Sequence, residues 1–329
     1  MNSILNNMNA CKTEYILRVN RVVDYINYNI SENFTLEKLA GIANFSPFHF
    51  HRIFKTVTGE SLYSFIRRVR LERAANMLVF KNDSITGIAF NCGFSSSSVF
   101  AYAFREHFGC SAGDYRGKNS IYANSKNSKN ISKDSKDKSS KMSYNNRKLS
   151  GKQNNPEKHI KLNVIVKNFE DMKVCYIRHI GDYFKIRKTW DKLCVWAGAR
   201  NLLIENAKYI GLYYDNPEIT DENKLRYDAC ITIPERINDF GNKPEIIEDL
   251  KPSGEVGISV IKGGKYAVAH CEGKSDSIMK TYQLLFSEWF PSSGYQPDNK
   301  HYFEIYLNNT DEHPEKFFIM DICIPVKLL

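Results

Sequence analysis

The stretch ITGIAFNCGFSSSSVFAYAFREHFGCSAGDYR, residues 85–116, decides the fold of the N-terminal part of the chain. Ile88 and Cys92 lie on one helical face, and Gly93 can take the left-handed backbone that ends a helix. Ser95 is expected to cap the helix that follows. That helix would expose a polar face made of Ser97, Ser98, Ala101, Tyr102 and Arg105. Two helices joined by a short glycine turn can enter the major groove of DNA, although many helical hairpins share this shape.

A second copy of this pattern, LEKLAGIANFSPFHFHRIFK at residues 36–55, lies about 50 residues upstream, and such internal repeats are informative. The matched positions are Asn44 with Gly93, Phe50 with Phe100 and Phe54 with Phe104. A basic amphipathic segment, predicted as a helix over residues 62–80, joins the two copies. Two helix-turn-helix units in one chain would suit two successive windows of the major groove, about 34 Å apart on one face of DNA.

The second helix of the upstream copy is predicted to turn Phe48, His51 and Arg52 outward. Arg52 is the best candidate for reading a base, because its fork matches the two acceptors of guanine. His51 could donate to a base or a phosphate, and an ordinary solvent-exposed histidine is the alternative. In the downstream copy, small hydroxyls and Ala101 offer no bidentate pair. That helix is therefore expected to contribute mainly phosphate contacts.

The composition is that of a globular protein. The 329 residues suffice for two or three domains, and 42% of them are hydrophobic. The sequence has no apolar run of about 18 residues, which a membrane span requires, and no signal peptide pattern. We therefore expect a cytoplasmic protein that does not bind membranes. The eight cysteines form no CxxC pair, which argues against a zinc site and indicates reduced thiols. No cofactor and no metal is predicted.

The net charge of +9 is unevenly distributed along the chain. Residues 117–158, rich in Lys, Ser and Asn, carry 11 basic against 3 acidic residues, whereas residues 159–329 carry 22 against 25. The central tract has too little apolar surface to fold, so we predict a disordered linker. It either adds weak, salt-sensitive attraction to DNA or merely stays solvated. We expect a DNA-binding domain at residues 1–116, the linker at 117–158 and a second domain at 159–329.

The second domain contains two copies of a β-α-β-β order. TWDKL at 189–193 parallels TYQLL at 281–285, and IGLYYDNP at 210–217 parallels FEIYLNNT at 303–310. The predicted fold class is therefore an all-α N-terminal domain with two helix-turn-helix units, followed by an α+β domain of two pseudo-symmetric β-α-β-β repeats. Clefts between such halves commonly take small ligands.

Glu304 stands in the strand HYFEIYL, where alternation puts Tyr302, Glu304 and Tyr306 on one face. A carboxylate flanked by tyrosines lies either on a solvated face or in an aromatic-walled pocket. If buried, the trio would suit a bulky organic cation, because aromatic faces attract positive charge and the carboxylate neutralises it. Tyr213 and Trp196 could add walls to this effector site, or could be ordinary core residues.

Residues 15–116 resemble the DNA-binding domain of AraC/XylS-type transcription regulators. The resemblance rests on Gly93-Phe94, Ser96, Phe100, Phe104-Arg105, Phe108-Gly109 and Tyr115-Arg116. One departure is the lack of proline at Ala112 or Gly113, where that family commonly has one. The resemblance implies that bases are read at the positions of Phe48, His51 and Arg52. It implies a smaller contribution from the second recognition helix, at Ser97, Ser98, Val99, Ala101 and Tyr102.

Residues 160–327 resemble GyrI-like effector-binding domains. The matching stretches are GGKYAVAHCEG at 263–273, YQLLFSEWFPSSGYQP at 282–297 and HYFEIYLNN at 301–309. In that family a Glu at the position of Glu304 commonly faces a cavity for lipophilic, often cationic compounds. The order of the two domains is similar to the Rob-type branch of the AraC family. Together the resemblances imply a transcription regulator, an activator in preference to a repressor. Its implied partners are double-stranded DNA, RNA polymerase and a small lipophilic effector.

Two other functions remain open for the C-terminal domain. It could be a small-molecule hydrolase in which Glu304 acts as a base. Against an enzyme, no Ser/His/Asp order, metal cluster or phosphate loop has a convincing spacing, and His179, His270 and His301 stand isolated in the sequence. The domain could also bind a protein partner and no ligand. A regulator without enzymatic activity is the preferred interpretation.

Overall fold

The structure, a computed structural model, describes residues 2–120, 162–217, 219–234, 254–298 and 300–329. Most of the predicted linker lies outside these residues. Among the helices that are described, none is both long and apolar enough to cross a membrane. A helical N-terminal part precedes a strand-rich C-terminal part, which confirms the predicted fold class.

The N-terminal part holds two helix-turn-helix units on either side of a long helix. The helices are α1 Asn2–Tyr28, α2 Leu36–Ile42, α3 Pro47–Thr58, α4 Leu62–Phe80, α5 Ile85–Asn91, α6 Ser97–Phe108 and α7 Ala112–Asn119. Helices α2 and α3 form the first unit, and α5 and α6 form the second. Each unit has its own apolar core, in which Phe50 and Phe54 of α3 take the places that Phe100 and Phe104 take in α6.

The turns of the two units have the same backbone geometry. Gly93 has a φ of +81°, and Asn44 at the equivalent position has a φ of +52°. A Cβ at Gly93 would lie 2.5 Å from the carbonyl oxygen of Ile30 and 2.7 Å from the guanidinium of Arg70. The second turn therefore requires glycine for its conformation and for space, whereas the first accepts asparagine.

The cap of α6 differs from the prediction. Ser96, not Ser95, accepts the N–H of Val99, at 3.2 Å. Ser95 lies one residue too early, because the capping side chain must belong to the residue directly before the first helical turn. In a run of four serines the sequence alone does not distinguish these positions.

The arginines of α4 bind the helical part together. Arg68 is buried and donates to Glu60 at 2.6 Å and to Glu72 at 3.0 Å. Arg70 donates to the carbonyl oxygens of Ile30 and Glu32, at 3.1 and 2.6 Å. The Arg70 contacts tie α4 to the segment that follows α1, whereas the Arg68 contacts lie within α4 and the turn before it, so the positive charges of both arginines are used inside the protein.

The C-terminal part is built on one antiparallel sheet. Its strands are β1 Val164–Phe169, β2 Met172–Ile180, β3 Tyr209–Tyr213, β4 Arg226–Thr232, β5 Gly257–Ile261, β6 Gly264–Gly273, β7 Tyr295–Pro297, β8 Tyr302–Tyr306 and β9 Phe318–Leu328. Its helices are α8 Arg187–Gly198, α9 Ser275–Leu284 and α10 Phe290–Ser293, the last two joined by a π-helical turn at Leu285–Trp289. The strand order is β1-β6-β9-β8-β3-β4-β2-β5, with β7 beside β9.

The two predicted repeats are the two halves of this sheet. One half is β2-α8-β3-β4 and the other is β6-α9-β8-β9, and they meet where β3 pairs with β8. The strand before each half pairs with the other half, since β1 pairs with β6 and β5 pairs with β2. At the central pair of strands, Gly211 lies opposite Glu304.

The sheet has a different neighbour on each face. Helices α8 and α9 cover one face, where Leu193 and Ala197 pack with Tyr227 of the first half. The other face is packed against α1. There Asp24 accepts hydrogen bonds from Arg178 Nη2 at 2.6 Å and from the Tyr176 hydroxyl at 3.1 Å. Helix α1 thus lies on the face of the sheet opposite α8 and α9.

Further contacts join the two parts of the chain. Arg226 Nη1 donates to Asn27 Oδ1 of α1 at 3.0 Å, and the rings of Phe80 and Phe286 lie 4.2 Å apart. The His301 ring lies between two tyrosine rings, 5.5 Å from Tyr28 of α1 and 4.7 Å from Tyr214. Charged, polar and aromatic side chains thus join the C-terminal part to the helical part.

Candidate functional site: a DNA-reading face and a buried carboxylate

The sequence-predicted DNA-contact residues are open to solvent. Phe48 is 71% exposed on α3, and Tyr102 and Val99 are 73% and 52% exposed on α6. The exposed set also includes His51, Arg52, Ser97, Ser98 and Ala101. The apolar residues of the same helices, such as Phe50 and Phe104, are fully buried. Both recognition helices therefore keep the polar faces that a groove-binding role requires.

Glu304 is buried, with 3% of its surface exposed, and its carboxylate accepts hydrogen bonds from three tyrosine hydroxyls. Tyr213 and Tyr306 both donate to Oε2, each at 2.9 Å, and Tyr282 donates to Oε1 at 3.1 Å. Within the described residues no cationic side chain forms an ion pair with Glu304. We call Glu304 with these three tyrosines the tyrosine cage.

Gly211 makes room for the cage. A Cβ at this position would lie 2.7 Å from the Tyr227 hydroxyl and 2.8 Å from the Tyr306 hydroxyl. Since Gly211 faces Glu304 across the β3–β8 pair, the missing side chain of one half provides space for the side chains around the carboxylate of the other.

Three residues of this site were not singled out from the sequence. Tyr282 reaches the cage from α9, Trp190 reaches it from α8, and Tyr227 links Trp190 to Tyr306. The Trp190 indole N–H donates to the Tyr227 hydroxyl at 2.9 Å, and that hydroxyl lies 3.3 Å from the Tyr306 hydroxyl. The alignment of the two repeats could have indicated two of these residues, because it places aromatic side chains, Trp190 and Tyr282, at equivalent positions of the two helices.

The other predicted effector-site residues lie at the edge of the cage or beyond it. Tyr302 shares the face of Glu304 and packs with Phe286, at 6.3 Å between ring centroids. Trp196 follows Trp190 on α8, and its ring lies 4.1 Å from the Arg200 guanidinium. The indole that contacts the cage is thus Trp190, whose ring lies 5.6 Å from that of Tyr306.

Burial changes the acid–base properties of the cage. Loss of water raises the pKa of Glu304 above its ordinary value, and the hydrogen bonds from Tyr213, Tyr306 and Tyr282 oppose this shift only in part. Burial, with the nearby carboxylate, also raises the pKa of these three tyrosines, so their hydroxyls stay protonated as donors. At this site the three tyrosine hydroxyls are therefore the donors, and the Glu304 side chain is their shared acceptor.

His179, His270 and His301 contact residues outside the cage. His270 Nδ1 pairs with Asp321 at 2.9 Å, and His179 Nε2 lies 3.0 Å from the carbonyl oxygen of Asp182. His301 lies in the interface, where burial and three nearby arginines lower its pKa to about 3. In the ranges that the structure covers, no group of three His, Cys, Asp or Glu side chains could hold a metal ion.

A buried ionic clamp lies on the opposite face of the sheet. Arg178 donates from Nε and Nη2 to Asp228, at 2.8 and 2.7 Å, and from Nη2 to Asp24 of α1 at 2.6 Å. The Tyr214 hydroxyl donates to Asp228 Oδ2, the oxygen that also accepts from Arg178 Nη2, at 2.7 Å. Tyr214 directly follows Tyr213 of the cage, so adjacent residues of one strand end reach the two faces of the sheet.

The fold and these sites define a class of protein in which a DNA-reading pair of helix-turn-helix units is joined to a small-molecule-binding domain. Residues 162–327 match the family described as GyrI-like small molecule binding domain, and residues 39–118 match a helix-turn-helix domain. The chain belongs to the GyrI-like family and carries an AraC-type helix-turn-helix domain at its N-terminal end. It is a DNA-binding transcription regulator with a C-terminal small-molecule-binding domain.

Each half of the chain has its own relatives. The DNA gyrase inhibitor of Escherichia coli (strain K12) is 30% identical over 152 residues, which are 46% of this chain and 89% of that protein. The bifunctional transcriptional activator/DNA repair enzyme AdaA of Bacillus subtilis (strain 168) is 35% identical over 98 residues, 30% of this chain and 46% of that protein. The chain thus spans about half the length of AdaA.

Among solved structures, the chain is similar to the DNA-binding domain of AdpA, described as a global transcriptional factor in complex with a target DNA. The identity is 29%, and the similarity covers 30% of this chain and 90% of that one, with a TM-score of 0.30.

Proposed function

We propose that this regulator binds DNA through the exposed faces of α3 and α6 and responds to a lipophilic cation bound at Glu304. The observation that carries the proposal is the burial of Glu304 without a cationic partner among the described residues. A carboxylate in this position costs folding free energy, and a protein that keeps it has a use for the negative charge.

The chemistry of the tyrosine cage favours a cation with an apolar body. The carboxylate supplies the counter-charge, and the rings of Tyr213, Tyr306 and Trp190 supply aromatic faces that attract positive charge. A small hydrated ion would gain less here, because it has no apolar body to pack against the aromatic rings, and the Tyr213, Tyr282 and Tyr306 hydroxyls already donate to Glu304. A bulky organic cation would gain both the ion pair and apolar burial.

On the DNA side, one chain carries both recognition helices, so a monomer can contact two groove windows. We assign base reading to Phe48, His51 and Arg52 of α3, and mainly phosphate contacts to Ser97, Ser98, Val99, Ala101 and Tyr102 of α6. The asymmetry follows from the side chains, because Arg52 forms bidentate contacts to guanine and the α6 residues do not. Activation, contact with RNA polymerase, a cytoplasmic location and the domain boundaries at 116 and 159 stay predictions.

The signal would pass through the sheet. A cation that attracts Glu304 changes the acceptor of the Tyr213 hydroxyl, and Tyr213 is bonded to Tyr214 of the ionic clamp on the other face. The clamp holds α1 through Asp24, so a shift of this strand end changes how the helical part docks. Ligand and DNA would then bias the same arrangement of the two parts.

The effector assignment is tested by titrating the purified protein with tetraphenylphosphonium in a calorimeter. We expect binding by the wild type and at least tenfold weaker binding by Glu304→Gln, because the amide removes the counter-charge and keeps the shape. Glu288→Gln, which removes an exposed carboxylate, is the matched control and should bind like the wild type.

Other outcomes would decide between the alternatives. Equal affinity in the Glu304→Gln and Glu288→Gln variants would refute the proposed site. Turnover of ester or amide substrates that is lost in Glu304→Gln would favour a hydrolase. A failure of every lipophilic cation to bind would favour a protein-partner module.

The DNA assignment is tested with Arg52→Ala on an operator fragment selected with the wild-type protein. We expect specific binding to weaken by about 1–3 kcal/mol, because a bidentate base contact is lost. Arg187→Ala removes the same charge from an exposed position in the GyrI-like domain and should leave affinity within about 0.5 kcal/mol. Unchanged affinity of Arg52→Ala in a fluorescence anisotropy titration would exclude the assigned role.

A further inference from the structure

The two recognition helices present their side chains in the same rotational phase. Helix α6 buries Phe100 and Phe104, as α3 buries two phenylalanines at the equivalent positions. Tyr102 lies midway between the buried pair of α6, and Arg52 lies midway between the buried pair of α3. Because successive residues are set at a fixed angle around a helix, Tyr102 projects from α6 in the direction that Arg52 projects from α3. The position assigned to base reading in the first unit is therefore held by a tyrosine in the second.

The surface of α6 around Tyr102 is apolar. Val99 and Ala101 are exposed like Tyr102, and the side chains of Val99 and Ala101 have no polar group that could bind a phosphate. Val99 and Tyr102 are three residues apart, so their side chains are neighbours on the helix surface. We call Val99 and Tyr102 together the apolar patch of α6.

Each residue of this surface replaces a polar residue of α3. Fifty residues upstream, the positions equivalent to Val99, Ala101 and Tyr102 are held by His49, His51 and Arg52. The three polar residues are also exposed. The two units thus have the same fold and offer different chemistry to a bound duplex.

The major groove offers one apolar group to such a surface. Thymine presents its C5-methyl group there, whereas the other three bases are recognised by their hydrogen-bond donors and acceptors. An apolar side chain that covers a methyl group removes both from water, and at a guanine it would leave acceptors without partners. The chemistry of the apolar patch therefore favours thymine.

We propose that Val99 and Tyr102 read thymine methyl groups, so that α6 adds sequence specificity to the phosphate contacts of Ser97 and Ser98. This inference rests on the proposed function, because it requires α6 to lie in the major groove. The operator is then bipartite. Its guanine-containing window lies under α3, and its thymine-containing window lies under α6, about 10 base pairs away.

Replacing thymine by deoxyuridine tests the inference, because it removes only the C5-methyl group. The DNA is the operator fragment selected with the wild-type protein, and its thymines in the second window are replaced one at a time. We expect each uracil that replaces a contacted thymine to weaken wild-type binding about fourfold in an anisotropy titration, the effect of one buried methylene.

The double variant Val99→Ala with Tyr102→Ala should lose this response. Alanine is a good helix former and both positions are exposed, so the variant is expected to fold. The same uracils should change its affinity by less than about twofold, because the apolar patch is gone.

Two further variants serve as controls. Phe90→Ala removes an aromatic side chain of α5 that is 52% exposed, the same fraction as Val99, and should respond to uracil like the wild type. Arg105→Ala removes an exposed positive charge one turn beyond Tyr102. It should weaken binding to every fragment by the same factor and reduce the dependence on salt, as the loss of a phosphate contact does.

Two outcomes would overturn the inference: wild-type binding that changes less than about twofold at every uracil of the second window, or equal uracil effects in the wild type and the double variant. A guanine analogue that lacks N7, placed in the first window, reports separately on α3. Sensitivity to that analogue without sensitivity to uracil would overturn thymine reading by α6 and leave base reading by α3 standing. Insensitivity to both would overturn this inference together with the proposed DNA contacts.

Discussion

At the scale of single residues, Glu304 shows what alternation along a strand can and cannot reveal. The period of two placed Tyr302, Glu304 and Tyr306 on one face, and the structure has them there. The sequence could not choose between a solvated and a buried face, because that depends on α8 and α9 covering the sheet. The contact between Tyr282 and Glu304 is not predictable from alternation for a related reason, since it joins a helix to a strand.

The buried carboxylate of Glu304 should lower the free energy of unfolding at neutral pH, compared with a neutral side chain at the same position. Burial raises the pKa of Glu304 in the folded state above the value in the unfolded chain, so the folded state pays for ionisation. This penalty is present at neutral pH and disappears as the pH falls below the unfolded value near 4.5. We expect Glu304→Gln to raise the free energy of unfolding at pH 7.

Urea unfolding of the wild type and Glu304→Gln between pH 4 and pH 8 measures this effect. The advantage of the variant should shrink as the pH falls towards 4.5. An advantage that is constant with pH, or a variant that is less stable at pH 7, would contradict the interpretation. The comparison isolates Glu304, because His301 titrates in both proteins.

At the scale of elements, the two helix-turn-helix units show why the repeat could be found. Their inward phenylalanines and their left-handed turn residues recur at matched positions. The phenylalanines form the core of each unit, and the turn residues end its first helix. The ends of α4 were also predicted correctly, because Ser61 caps the helix and its apolar face is continuous. The buried role of its arginines was not predictable, since Arg70 meets residues 38 and 40 positions away.

Gly93 in the turn and Gly41 within α2 give a matched pair of positions that tests the turn of the second unit. Gly93→Ala should lower the free energy of unfolding by about 2 kcal/mol or more, because alanine resists a left-handed φ and its Cβ meets Ile30 and Arg70. Gly41→Ala, inside α2 with nothing within 4 Å of the new Cβ, should raise it by up to about 1 kcal/mol. Similar changes for both variants in thermal unfolding would mean that the turn of the second unit is not constrained.

At the scale of the whole molecule, the sheet connects the tyrosine cage to the helical part of the chain. Asp24 and Arg178 are 154 residues apart in the chain, and pairing at that separation has no local sequence signal. The sequence predicted two parts and a linker, and it predicted nothing about how the parts meet. The structure adds a chain of contacts from the tyrosine cage to α1, which runs from Tyr213 and Tyr214 through Asp228 and Arg178 to Asp24.

Removing Asp24 from the ionic clamp should lower the free energy of unfolding and leave cation binding at Glu304 unchanged. Asp24→Ala leaves Arg178 paired with Asp228 and should cost about 3 kcal/mol, the lower end for a broken buried pair. Glu14→Ala breaks an exposed ion pair with Arg18 and should cost less than about 1 kcal/mol. Both values are measured by urea unfolding.

The same variant tests the path between the sites. Asp24→Ala should still bind tetraphenylphosphonium, because Glu304 is untouched, but the cation should no longer change operator affinity. If the cation alters operator binding equally in Asp24→Ala and in the wild type, the signal does not pass through this clamp.

The pairing of Gly211 with Glu304 bears on why the two halves are fused. A symmetric dimer of identical halves would put the same residue on both sides of the junction, giving either two acids that repel each other or two glycines with no charge. Joining the halves in one polypeptide allows one copy to diverge from the other at this single position. A single carboxylate at the junction, which can balance one positive charge, is therefore possible only when the two halves have different sequences at this position.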